Sequence, residues 1–306
     1  MTRILVTGGA GRLGRSLVAG LAARGHELVS VDRDVSDAPE LSGIAQLAAD
    51  LSDADAAAAV IAESRPEALI HLAAIAVPFS APEDVIMRTN AGLAVSVLGA
   101  AAAAGVPRVV AASSPTVLGY GAPAGWLPDR LPLDERTPPR PWNAYGLSKL
   151  LIEQTIGMLR RQTGDAVRFA AFRPCYVIAP EEWAGAPTQQ GHTVVERLAD
   201  PALSAPAVFN YVDARDVSSF ADTLLSAMDD IPNGEVFFVG ADDALARDPL
   251  AELMPRFFPG TERLAAELTG TRSAFSNAKA RELLGWRPRH TWREELGETA
   301  AEERVA

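Results

Sequence analysis

The sequence is short of the features that mark several large classes of protein. It has one cysteine, Cys175, among 306 residues, so no disulfide can form within the chain. A lone cysteine suits a reducing compartment. Four histidines are scattered along it, and no cluster has metal-ligand spacing. Positive charge is outweighed: 28 Lys and Arg face 39 Asp and Glu, a net charge of -11. An acidic surface repels phosphate backbones, which argues against nucleic acid as a partner. No apolar run reads as long enough to span a bilayer. The amino terminus does not read as a secretory signal, because Ile4-Leu5-Val6 runs straight into a glycine turn. Repeats, low-complexity tracts and a clear linker are missing too. The expectation is a cytoplasmic protein with no membrane partner, large enough for one main core domain and a smaller lobe.

What is present is alternation. Short apolar runs at Arg3 to Thr7, Glu27 to Asp32, Ala68 to Ala73, Arg108 to Ser113 and Val167 to Arg173 read as strands. Between them, Gly14 to Arg24, Ala54 to Ser64, Val85 to Ala104 and Tyr145 to Thr163 read as helices, the third stopping at Gly105 with Pro107 beyond. Near-continuous apolar strands alternating with helices predict an α/β doubly wound parallel sheet, covered on both faces. Later segments are less regular. Ala122 to Pro141 reads as a long proline-rich loop, and Ala179 to Pro206 shows little periodicity. Phe209 to Val212 and Val236 to Gly240 look like strands returning to the core sheet, and the chain from Ala241 onward looks helical. The expected division is a dinucleotide-binding domain of 1–175 plus 207–240. A smaller interleaved substrate lobe would take 176–206 plus 241–306.

Three stretches carry chemistry. The first is Thr7-Gly8-Gly9-Ala10-Gly11-Arg12-Leu13-Gly14, lying between the first strand and the first helix. Glycines let a backbone approach a pyrophosphate closely, and a helix amino terminus offers it free N–H groups and positive dipole. The second is Asp32, ending the second strand about 20 residues on, where a carboxylate accepts from a ribose 2′-OH and repels a 2′-phosphate. That favours NAD over NADP, while Arg12 and Arg33 leave NADP open. A strand-end aspartate can also simply cap a turn. Asp50 and Leu51, ending an expected third strand, could contact the adenine or form a surface turn. The third stretch is Tyr145-Gly146-Leu147-Ser148-Lys149. Four residues apart on a helix, Tyr145 and Lys149 share a face, and the ammonium is expected to lower the phenol pKa. Such a phenol can exchange a proton near neutral pH. Ser113 and Ser114, at the carboxyl end of their strand, could hold a reacting oxygen or merely end the strand.

Taken together and in order, these pieces resemble the extended short-chain dehydrogenase/reductase family, the group of NAD-dependent epimerases and dehydratases. The matching residues are the glycine turn, Asp32, Leu72-Ala73-Ala74, Asn90, Ser113 to Val117, Tyr145 to Lys149, Arg173-Pro174, Tyr211-Val212-Asp213, Ala278 to Ala280 and Leu284 to Pro288. The resemblance implies a Rossmann fold and hydride transfer between a nicotinamide and a carbon bearing a hydroxyl. It implies that Ser114, Tyr145 and Lys149 are catalytic. Cofactor contacts are implied for Gly8, Gly11, Arg12, Leu13, Gly14, Leu72, Ala73, Ala74, Asn90, Tyr145 and Lys149. A homodimer through the helices 85–104 and 145–163 is implied by analogy. The substrate is expected to be a small sugar-like or other hydroxy compound touching Ser114, Thr116, Tyr176 and His192. The alternative is a nucleotide-sugar epimerase or dehydratase working through a transient keto intermediate. Family members that bind nucleotide sugars usually carry an asparagine where Tyr176 stands, and Leu118 replaces a frequent tyrosine. His71, inside an apolar strand, is expected to be a core histidine.

Overall fold

A computed structural model describes residues 1–36 and 43–298. Its main sheet has seven strands: β1 Arg3–Thr7, β2 Glu27–Asp32, β3 Ala45–Ala48, β4 Ala68–His71, β5 Arg108–Ala112, β6 Arg168–Pro174 and, late in the chain, a strand at Glu235–Val239. Its order is β3-β2-β1-β4-β5-β6 followed by that last strand, and the chain reverses direction across the sheet between β1 and β4. Neighbours pair in parallel, with Leu5 opposite both Val29 and Leu69. A ligand crevice in such a sheet lies beyond the carboxyl ends of the strands, at that reversal.

Helices α1 Arg12–Ala22, α2 Ala54–Ser64, α3 Glu83–Ala103 and α4 Ala144–Thr163 make the crossovers. The chain divides into two compact units. The first holds Met1–Gly119, Pro138–Pro174 and Ser218–Phe237; the second holds Tyr120–Thr137, Cys175–Val217 and the chain from Phe238 on. In the first unit, Leu5, Val31, Leu69 and Val109 of the strands meet Ile61 of α2, Val97 of α3 and Ile152 of α4 in one core. On the opposite face, Gly20 of α1 comes so close to Ser218 that a Cβ on it would lie 2.2 Å from the Ser218 hydroxyl oxygen. Helix α3 carries no charge between Arg88 and Arg108. Contrary to expectation, its 21 residues and mean hydropathy of 1.4 are enough to cross a membrane by length and composition. Its Leu93, Ala94, Val97, Leu98 and Ala101 pack in this core instead, as helices covering a sheet do.

The second unit is built from short pieces. Strand β7 Val177–Ile178 pairs with β8 Val212–Asp213 in a ribbon of its own. The expected return of Phe209 to Val212 to the main sheet is therefore wrong: its partner is β7. Helices α5 Pro180–Trp183 and α6 Val194–Ala199 interrupt the irregular stretch. Helix α7 Ala214–Ala227, which the sequence reading did not single out, leads to β9, Glu235–Val239. Four further helices, α8 Leu250–Phe257, α9 Glu262–Ala265, α10 Ala278–Leu284 and α11 Trp292–Glu295, follow among the described residues. Ile178, Trp183, Leu198, Tyr211, Leu245 and Trp292 form this unit's core.

Candidate active site

The glycine turn is shaped by contacts that admit no side chain. Gly8 has φ +74, and a Cβ there would lie 2.6 Å from the Ala73 amide nitrogen. A Cβ on Gly14 would lie 2.1 Å from the Gly8 carbonyl oxygen, and one on Gly9 would meet the Ser30 hydroxyl at 2.0 Å. The first residues of α1 therefore sit directly against the turn, and the turn sits against the end of β4. Gly11 is the N-cap of α1, with no side chain capping the first turn and no acidic residue in it. The helix end is thus left to an external anion, which suits a dinucleotide pyrophosphate.

Asp32 braces this turn: its carboxylate accepts from the Ala10 N–H at 3.1 Å and the Arg33 N–H at 2.7 Å. Two N–H bonds leave the carboxylate further acceptor sites for a diol. Arg33 is exposed beside it. The third strand stops at Ala48, so Asp50 and Leu51 follow it rather than end it. Asp50 accepts from the Ser52 amide and hydroxyl, and these bonds hold its carboxyl below the usual range. The Leu51 side chain is 4% exposed and belongs to the core.

Asn90 takes the role of a brace rather than a direct cofactor contact. It is buried in α3, accepts from the Ile75 N–H at 2.8 Å and donates to the Ile75 carbonyl and the Ser148 hydroxyl. Its amide therefore ties the segment after Leu72-Ala73-Ala74 to α4. The Ala73 N–H donates to the Thr7 hydroxyl at 3.4 Å, and Thr7 is 2.7 Å from His71 Nδ1. His71 is buried and kept neutral, its pKa pushed down to about 3 by desolvation and by the Lys149 charge. It is a core histidine, as expected, but not a fully satisfied one: its Nε2 is buried without a hydrogen-bond partner.

Helix α4 starts at Ala144 because the Asn143 side chain accepts from the Gly146 N–H at 2.8 Å. That cap sets Tyr145 in the first turn. Gly146 is close to the turn after β5, since a Cβ on it would lie 3.0 Å from the Thr116 carbonyl oxygen. Tyr145, Ser148 and Lys149 are all buried. The Ser114 side chain stands near enough to the Tyr145 phenol to favour its phenolate form. Ser114 also accepts from the Thr116 amide at 3.3 Å and the Thr116 hydroxyl at 2.9 Å. Serine and threonine are thus hydrogen-bonded to each other beside the phenol.

Ser113, the other candidate, points elsewhere. Its hydroxyl donates to Glu153 at 2.6 Å. Glu153 is held bidentately by the Arg173 guanidinium, at 2.8 and 2.9 Å. Geometry therefore separates two adjacent serines that the sequence left equivalent. Glu153 itself was missed; its place, four residues beyond Lys149 on the helix, was the available signal.

The charge balance differs from the sequence expectation. Burial dominates at Tyr145 and pushes its phenol up to about 12, with Ser114 pulling the other way. The Lys149 ammonium, 5.8 Å from the phenol ring centre, donates to the Ala112 carbonyl at 3.0 Å. Desolvation lowers its own pKa to about 8. Lys149 therefore does not by itself lower the phenol, because both groups are buried and burial penalises each charged form.

Tyr176 and His192 lie in the second unit. The Arg197 guanidinium stacks over the Tyr176 ring at 4.3 Å, and the Tyr176 hydroxyl is buried without a hydrogen-bond partner. His192 is exposed, and its backbone carbonyl accepts from Thr188. No group of three or more His, Cys, Asp or Glu among the described residues could hold a metal.

The model of the NAD dependent epimerase/dehydratase family matches residues 4–240. The chain belongs to this family. A UDP-glucose 4-epimerase of Mycolicibacterium smegmatis is 30% identical over 97% of both chains. A 3-diazoavenalumate denitrifying reductase of a Streptomyces species is 30% identical over 96% of this chain and 99% of its own. Among solved structures, a UDP-galactose 4-epimerase superposes with a TM-score of 0.67, at 25% identity and 97% coverage of both chains. Membership makes the chain an NAD-dependent enzyme of the short-chain dehydrogenase/reductase type. The glycine turn, the open end of α1 and Asp32 are shaped to receive that cofactor.

Proposed function

We propose that this enzyme oxidises a hydroxyl, or reduces the matching carbonyl, on a small non-nucleotide substrate, with net turnover of the cofactor. The observation that carries the reading is the hydrogen-bonded pair of Thr116 and Ser114 beside the buried Tyr145 phenol in the first unit. Bound NAD supplies the hydride acceptor. Ser114 donates a hydrogen bond to the substrate oxygen, and Tyr145 takes or returns its proton. A phenol at about 12 needs more positive charge to do this near neutral pH than Lys149 supplies alone, and a bound nicotinamide cation would add to the ammonium. Lys149 also reaches the nicotinamide ribose in this reading. Gly8, Gly11, Arg12, Leu13 and Gly14 hold the pyrophosphate, Asp32 the adenosine ribose, and Arg33, Asp50 and Leu51 flank the adenine. Leu72, Ala73 and Ala74 line the cofactor, and Ser114 and Thr116 the substrate.

The test is Tyr145→Phe. It should remove turnover while NAD affinity stays within about twofold, because the substitution deletes one hydroxyl and no packing atom. Full activity in that variant would falsify the assignment.

A second reading keeps the same residues but returns the hydride to the opposite face, as an epimerase would. The UDP-glucose 4-epimerase relative favours it. Tyr176, crowded by Arg197 where nucleotide-sugar binders usually carry asparagine, favours the first reading. Tightly held NAD in the purified protein, with no net change in nicotinamide absorbance during turnover, would decide for epimerisation. We further propose a cytoplasmic homodimer joined through α3 and α4, supported by exposed Val95, Leu147 and Met158 on those helices. Sedimentation measures its mass.

A further inference from the structure

Two large aromatic side chains in the first unit stand at the surface beside α4. Phe79 is 59% exposed and Trp142 37% exposed, with ring centres 5.5 Å apart and planes tilted by 38°. Phe79 sits in a turn from Val77 to Ser80, closed by the Ser80 N–H donating to the Val77 carbonyl at 3.4 Å. Pro78 and Phe79 are its central residues, and Phe79 has φ +62. Glycine or asparagine occupies that conformation at no cost, whereas a bulky residue is strained there. A strained backbone that displays a hydrophobic ring to water gains nothing for folding from either feature, which points to a ligand for the ring.

The turn is tied to the Tyr145 end of α4 at two points. Ile75, at its start, is held by Asn90, which also holds Ser148. Glu83, just after it, accepts from the Ala144 N–H at 2.6 Å. Trp142 immediately precedes the Asn143 cap, three residues before Tyr145. Trp142 is therefore within about one helical turn of the phenol along the chain, and Phe79 joins it through the ring contact. The segment from Ala74 to Phe79, Ala-Ile-Ala-Val-Pro-Phe, has no polar side chain. This segment thus offers aromatic and aliphatic faces and no hydrogen-bonding side chain, which suits an apolar ring.

We propose that Phe79 and Trp142 are specificity-determining residues that stack on an aromatic ring of the substrate. The substrate class of the Tyr145 site is then aryl ketones and the corresponding aryl alcohols. This rests on the oxidoreductase reading, whose substrate it narrows.

The experiment uses acetophenone as the probe, with NAD present, and the full chain carrying Tyr145→Phe, so that binding is read without turnover. With nitrogen-15 labelling, the Trp142 indole signal, assigned through Trp142→Phe, should shift on titration. Adding Phe79→Ala should weaken acetophenone about tenfold, the scale of one lost aromatic contact. In the otherwise native enzyme, the preference for acetophenone over cyclohexyl methyl ketone should fall by a similar factor on Phe79→Ala. Melting temperature checks that the exposed substitution leaves folding intact. An indole signal that does not move, or an affinity that Phe79→Ala leaves unchanged, overturns the proposal. So does a change in oligomeric mass on that substitution, which would make the rings a subunit contact. If acetophenone shifts the indole signal and Phe79→Ala weakens it, yet no substrate is turned over by the native enzyme, the oxidoreductase reading fails and the stacking platform stands.

Discussion

Lys149 gives the sharpest quantitative test of this site, because its burial has a thermodynamic consequence separate from catalysis. Desolvation lowers its pKa from 10.5 to about 8. The folded chain therefore binds the proton less tightly than the unfolded chain does. Below about pH 8 both states are protonated and the folded state carries the whole penalty, about 3 kcal/mol. As pH rises toward 10.5 the folded state has already lost its proton and the unfolded state has not, so stability recovers. Replacing Lys149 with Met removes the charge and also the hydrogen bond to the Ala112 carbonyl. The orphaned carbonyl costs about 1–3 kcal/mol, so the net change at one pH is ambiguous. The difference between two pH values is not, because that loss is the same at both. Urea unfolding of both proteins should show Lys149→Met gaining about 2.5 kcal/mol relative to the native chain at pH 7 compared with pH 10. Turnover should be lost in the same variant. The sequence helps the assay: its only lysines are Lys149 and Lys279. Carbon-13 labelling of lysine therefore gives two side-chain signals, one titrating near 8. A stability gap that does not change with pH, or two signals that both titrate near 10.5, refutes the reasoning.

Other perturbations have definite outcomes. Gly14→Ala drives a Cβ toward the Gly8 carbonyl, so calorimetry should find NAD binding weakened at least tenfold, with smaller loss of stability than of affinity. Glu153→Ala leaves the Arg173 guanidinium buried without its carboxylate. Denaturant unfolding should register a loss of about 3–5 kcal/mol; under 1 kcal/mol would mean the pair is not buried in solution. Asp243 has its carboxyl pushed up to about 6 by burial, beside Tyr211 and Arg293. A raised folded pKa means this group's stabilising effect is full below about 3.8 and lost as pH rises through 6. Asp243→Asn should therefore gain on the native chain by about 2 kcal/mol between pH 4.5 and pH 7.5; a gap moving in the opposite sense would reverse the assignment.

Local pattern was enough to place most of the first unit. The strands Arg3–Thr7 and Glu27–Asp32 and the helix Ala54–Ser64 fall where apolar periodicity puts them, because each is fixed by which faces must be buried. The glycine turn was legible for a related reason: only residues without a Cβ fit at Gly8 and Gly14, so the steric demand is written into the residue types. Alternation of strand and helix then implied a parallel sheet covered on both faces.

Tertiary structure decided what depends on a partner far along the chain. Phe209 to Val212 is apolar enough for any sheet, but only the folded chain could show that β8 pairs with β7. Ser113 and Ser114 are the same residue type at the same strand end; one faces Glu153 and the other Tyr145. Asn90 became a brace because its amide meets Ile75 and Ser148. The phenol and the ammonium move opposite to the simplest pairing rule because both are buried, and desolvation is a property of the whole fold. Residue types and their order in the sequence marked the candidates for the chemistry; the packing of distant segments determined which way each one points and how readily it holds a proton.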